Sequence, residues 1–73
     1  MLAIPRRKLD LSDRELEVLR GVADGLSDKQ VAGLLGISPK TVRNHISGIF
    51  DKLGAGNRVD AVLRAMRAGL LSI

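Results

Sequence analysis

Apolar residues recur along this chain with the period of an α-helix, in blocks punctuated by glycine. The first block runs Leu16, Leu19, Val22 or Ala23, and Leu26. Ser12 and Glu15 ahead of it have the S-x-x-E spacing of a capping box, and Leu11 and Leu16 are placed as its hydrophobic staple. A helix is therefore predicted to open at Ser12 and to close at Gly25, which can take the left-handed conformation. The same signal returns with Ser27 and Gln30 as box and Leu26 and Val31 as staple. Val31, Ala32 and Leu35 face inward in this second helix, which Gly36 ends after about two turns. Gly33 inside so short a helix costs about 1 kcal/mol relative to Ala. Spacing alone does not separate a tolerated surface glycine from a point of close helix approach.

The third block begins at Ser38, a good N-cap, with Pro39 at the first helical position, where its missing N–H needs no partner. Val42, Ile46, Ile49 and Leu53 fall at i, i+4, i+7 and i+11, which predicts a helix over about 39–53 with one apolar face. The opposite face carries Lys40, Arg43, Asn44 and Ser47. Lys, Arg and Asn are the side chains that reach guanine and adenine edges in a major groove. After Gly54-Ala55-Gly56, Asn57 is the predicted cap of a fourth helix, with Asp60 at the third position of a box. Val59, Val62, Leu63, Met66 and Leu70 repeat at helical spacing and are expected to pack on the core. Ala61, Ala65 and Ala68 then lie on the far side. A stripe of small residues there suits close helix packing, and equally reflects the high helix propensity of Ala. The fold class is all-α: four helices, compact, with a central helix-turn-helix formed by the second helix, the turn Gly36-Ile37-Ser38 and the third helix.

Charge distribution adds a partner. The formal charge of the 73 residues is +4, but residues 1–28 carry five basic and six acidic side chains, and residues 29–73 carry seven basic and two acidic. Positive charge thus gathers in the half that holds the third helix, as a polyanion would favour. A solvated basic surface without a partner is the plainer reading of charge alone. There is no Cys, so neither disulfides nor thiolate zinc sites are available. A single aromatic, Phe50, argues against a stacking platform for single-stranded nucleic acid. Residues 1–10, with Pro5 and the run Arg6-Arg7-Lys8, show no period and are read as a flexible tail or linker remnant, with a basic arm along a phosphate backbone as the alternative. No signal peptide or stretch of the ~20 apolar residues needed for a membrane span is recognisable, so the cytoplasm is the expected location.

Several motifs together resemble the LuxR/FixJ-type helix-turn-helix, also called GerE- or NarL-type. They are Leu11-Ser12-x-Arg14-Glu15-x-Glu17-Val18-Leu19, Gly25-Leu26-Ser27-x-Lys29-x-Val31-Ala32, Leu35-x-Ile37-Ser38-x-Lys40-Thr41-Val42-Arg43-x-His45, Ile49-Phe50-x-Lys52-Leu53 and Asn57-Arg58-x-x-Ala61-Val62. Their order and spacing agree from about Leu9 to Leu70, so residues 11–73 are assigned to one such domain. The resemblance implies a DNA-binding domain that regulates bacterial transcription, usually at the C-terminus of a larger regulator. The third helix would enter the major groove and the fourth would mediate homodimerisation on DNA, with RNA polymerase as a further partner and no cofactor. By position, Lys40, Arg43 and Asn44 match the family's base-reading sites, with Ser47 one turn on. Lys29, Thr41 and Lys52 match positions that commonly meet phosphates. Ala61, Ala65 and Ala68, bordered by Arg64, are the candidate dimer contact. Two residues depart from the pattern: Asp28 would repel a nearby phosphate, and Asp51 lies on the same face as Asn44. The resemblance is to two-domain regulators, which leaves a piece of a longer protein and a stand-alone protein equally open.

His45 flanks the apolar stripe of the third helix, and no Cys or suitably spaced carboxylate accompanies it. A zinc site wants three or four protein ligands, so a partly buried structural histidine is expected. Two other function classes remain in view. A protein-interaction module built on the same helices would bind its partner without Lys40 or Arg43. An enzyme would need a nucleophile–base pair, metal set or phosphate loop that the sequence does not display.

Overall fold

Each helix begins where a side chain closes off its free N–H groups. In the computed structural model, which describes residues 11–71, the elements are α1 (Asp13–Ala23), α2 (Asp28–Leu35), α3 (Pro39–Leu53) and α4 (Arg58–Arg67). Ser12 Oγ accepts the Glu15 N–H at 3.1 Å while Glu15 returns a carboxylate oxygen to the Ser12 N–H at 2.9 Å. Ser27 and Gln30 repeat this exchange at the start of α2. Both capping boxes are thus reciprocal. α3 opens on Ser38 with Pro39 behind it. α4 departs from expectation at one point: Asn57 accepts the Asp60 N–H, but the Asp60 carboxylate accepts the Gly56 N–H instead of completing the box. The tail expected over residues 1–10 lies outside the described residues.

The ends are equally regular. Gly36 follows α2 at φ 69°, and the Ile37 N–H reaches back to the Ala32 carbonyl at 3.1 Å. A side chain at Gly36 would be strained in that left-handed conformation, so glycine makes the sharp turn between α2 and α3.

α1 and α3 form a central pair that packs on itself and on both other helices, with α2 and α4 at its two sides. The core is Val18, Leu19 and Val22 of α1, Val31 and Ala32 of α2, Val42, Ile46, Ile49 and Leu53 of α3, and Ala61 and Ala65 of α4. The four predicted inward positions of α3 are all buried. α1 and α2 approach so closely at Gly21 that a Cβ there would lie 2.6 Å from Val31 Cγ2. Gly33 has nothing within 4 Å of its Cβ direction and is a surface glycine.

The face of α4 is a correction. Ala61 and Ala65 are 0% exposed, whereas Val59 is 70% and Leu63 46% exposed. Val62, Met66, Ala68 and Leu70 are partly buried. Val59 and Leu63 have thus changed places with Ala61 and Ala65, while Val62 and Leu70 pack against the core as expected. Both stripes satisfy the helical period, so volume decides: α1 and α3 already supply the bulky Leu19, Ile49 and Leu53, and alanines let α4 seat closely against them.

Candidate nucleic-acid interface

The packing of α3 turns its polar side outward. Lys40, Arg43, Asn44 and Ser47 are all exposed. None of the four makes a hydrogen bond or ion pair from its side chain among the described residues. From Lys40 to Ser47 is about 10 Å along a helix, or roughly three steps of a duplex. The row therefore offers two cations, a carboxamide and a hydroxyl over a few base pairs, on a helix held rigid by its buried face.

The flanking groups differ from one another. Thr41 is partly buried, and its hydroxyl lies 2.9 Å from Ser38 Oγ, within the N-terminal turn of α3. Lys29 is exposed at the second position of α2, where the helix N-terminus adds its own positive end. Lys52 points elsewhere: its Nζ donates to Glu15 Oε1 of α1 at 2.7 Å. Asp51 is exposed on the α3 surface. His45 is partly buried on the flank of α3, as expected of a structural residue.

Carboxylates neutralise part of the basic half. Arg58 of α4 donates to Asp28 of α2, and Arg64 donates to Asp60 one turn earlier at 3.0 Å. Of the seven cations from Lys29 onward, Lys52, Arg58 and Arg64 thus sit on carboxylates, and Lys29, Lys40, Arg43 and Arg67 have no carboxylate partner among the described residues. The Arg64 bond, with the Gly56 N–H, holds the Asp60 carboxyl below its ordinary pKa. Burial raises that of Glu15, but hydrogen bonds from Lys52 and Ser12 outweigh it and leave the carboxyl lowered.

Of the candidate dimer contact, Ala61 and Ala65 are core residues and cannot meet a second chain; only Arg64 is exposed and Ala68 partly so. The apolar surface of α4 is instead Val59 and Leu63. They border a shallow groove of about 240 Å³ whose other walls are Val22, Ala23, Arg58 and Val62.

Sequence reasoning passes over Glu15 as more than a cap. The signal is present: Glu15, Val18, Leu19 and Val22 stand at i, i+3, i+4 and i+7, which puts a carboxylate on the buried stripe. Its partner lies 37 residues away and no local rule names it.

Among the described residues, four helices with a short turn between α2 and α3, and a polar row without internal partners on the second of these, define a helix-turn-helix protein. Residues 9–65 match the family of bacterial regulatory proteins of the luxR type. The chain belongs to that family and has its helix-turn-helix fold. It is similar to the transcriptional regulatory protein YdfI of Bacillus subtilis, 41% identical over 93% of this chain and 32% of the relative. It is 49% identical to DesR of the same organism over 81% of this chain and 30% of that protein. A solved structure of the transcription factor GerE superposes with a TM-score of 0.81 at 44% identity, covering 85% of this chain and 92% of that one. The chain spans less than a third of the length of the curated relatives YdfI and DesR.

Proposed function

We propose that this domain binds double-stranded DNA at specific sequences by laying the outer face of α3 in the major groove, and so directs a bacterial promoter's activity. The observation that carries this is the row Lys40, Arg43, Asn44 and Ser47, exposed and without internal partners among the described residues, opposite the buried row Val42, Ile46, Ile49 and Leu53. Arg43 and Lys40 suit guanine O6 and N7, and Asn44 suits adenine N6 and N7. Lys29 and Thr41 flank this row as phosphate contacts that set register without reading sequence. Asp51 keeps the C-terminal part of α3 out of the groove by repulsion.

One such helix reads only a few base pairs, so specific affinity calls for two domains in successive major grooves. We assign the dimer contact to α4, through Val59 and Leu63. Leaving Val59 mostly and Leu63 about half in water forgoes part of the roughly 1.5–3 kcal/mol that full burial of each would contribute, and the groove beside them can receive the same residues of a second copy. Stable dimers usually bury roughly 1,200–2,000 Å² in all. A patch this small supports a domain that is monomeric when free and pairs on DNA, on half-sites about 10 base pairs apart. Contact with RNA polymerase and residence in the cytoplasm follow from the role of a transcription regulator.

Selection of bound sequences from a random duplex pool tests the reading. Enrichment of a repeated half-site supports it, and recovery of unenriched DNA at every salt concentration contradicts it.

A further inference from the structure

Glu15 is the one charged residue buried among the described residues, at 8% exposure. Its Oε1 accepts both the Ser12 N–H at 2.9 Å and the Lys52 ammonium at 2.7 Å. Its Oε2 lies 3.2 Å from where a Cβ on Gly48 would stand, so the absence of a side chain at Gly48 makes room for the carboxylate against the middle of α3. One side chain therefore caps α1, abuts the midpoint of α3 and holds the last turn of α3. A buried carboxylate tolerates this only while its partner stays in place, because removing one member leaves an uncompensated charge. Groups that support a recognition element in this way fix its position to fractions of an ångström.

We infer that Glu15 is a positioning residue for the reading helix, and that Lys52 serves the fold as its counter-ion instead of serving DNA as a phosphate contact. This rests on the reading of α3 as the DNA-facing helix. It departs from the family pattern, in which the place of Lys52 commonly meets phosphate. A phosphate would have to share the Lys52 ammonium with a carboxylate that already neutralises it at 2.7 Å and has no other cation bonded to it among the described residues. An exposed lysine such as Lys29 has no such carboxylate partner among the described residues.

The slope of log affinity against log salt on the selected DNA site separates the two roles, since each cation on a phosphate adds about 0.9 to its magnitude. Lys29→Ala is expected to lower that magnitude by about 0.9, and Lys52→Met to leave it unchanged while lowering the melting temperature. Glu15→Gln keeps an acceptor for Ser12 but releases the ammonium. It is expected to steepen the slope and to broaden the set of selected sequences, because α3 is held less firmly. Lys52→Arg, which retains the cation, is expected to restore the melting temperature lost in Lys52→Met. A slope lowered by about 0.9 in Lys52→Met overturns the inference, as does an unchanged sequence preference in Glu15→Gln. Absence of DNA binding by the unsubstituted domain would instead overturn the underlying reading of α3. The coupling of Glu15 and Lys52 in a double-mutant melting cycle would still report their pairing in that case.

Discussion

Arg58, the first residue of α4, donates to the carboxylate of Asp28, the first residue of α2, and joins two helices whose backbones do not otherwise meet among the described residues. Asp28 departs from the family pattern in a way that would repel phosphate, and Arg58 offsets that charge. Replacing it acts twice, by removing an anion and by freeing a cation. Asp28→Asn is expected to tighten binding to all DNA sequences alike and to steepen the salt dependence. The pair is half-exposed on the arginine side, so its loss is expected to cost less than about 1 kcal/mol of stability. Titrations on specific and random duplexes, with a thermal melt, check both. Weaker binding by Asp28→Asn would show that Asp28 assists contact with DNA.

Two glycines in neighbouring helices are expected to respond in opposite directions to the same change. Gly21→Ala would put a Cβ 2.6 Å from Val31 Cγ2, on a buried and branched side chain with little room to move. Overpacking of this kind typically costs about 1–3 kcal/mol. Gly33→Ala meets nothing within 4 Å and is expected to gain up to about 1 kcal/mol from helix propensity. Denaturant unfolding of the two variants gives both signs.

The face of α4 also yields a paired test. Leu63→Glu is expected to abolish cooperative occupancy of a two-half-site duplex while sparing half-site binding, because like charges would meet across the symmetric contact. Ala65→Glu would place a carboxylate in the core and is expected to unfold the domain. Gel-shift titration on full and half sites, with circular dichroism, distinguishes them. Unchanged cooperativity in Leu63→Glu would move the dimer contact off this face.

Acid is expected to weaken the fold through Glu15. Its pKa is lowered in the folded state, so its contribution is present above the unfolded-state pKa and is lost as pH falls through the folded one. Glu15→Gln is expected to flatten the fall in melting temperature across the acidic carboxylate range. A fall as steep as that of the unsubstituted protein would assign the acid sensitivity elsewhere.

Caps and stripes make most of this fold legible in the order of the amino acids. Ser12, Ser27, Ser38 and Asn57 start helices because short-range hydrogen bonds decide helix starts, and such bonds are written in neighbouring residues. The polar and apolar faces of α3 are legible for the same reason of simple period. The orientation of α4 is not, since its two stripes differ in size and the gap they must fill is set by other helices. The partners of Lys52 and Asp28 are hidden as well, lying 37 and 30 residues away along the chain. Both bear on the candidate site: the face of α4 takes Ala61 and Ala65 out of the candidate dimer contact, and the bond to Glu15 is what sets Lys52 apart from the exposed cations.

Sequence reading by the outer face of α3 is tested most directly by repeating the random-duplex selection with Arg43→Ala and Lys29→Ala. If the Arg43 guanidinium reads a guanine edge, Arg43→Ala loses about 1–3 kcal/mol on the preferred site and relaxes the motif at one base pair. Lys29→Ala then weakens every sequence by the same factor and returns the original motif. A motif unchanged in Arg43→Ala, with affinity lost uniformly in both variants, would contradict base reading by this helix.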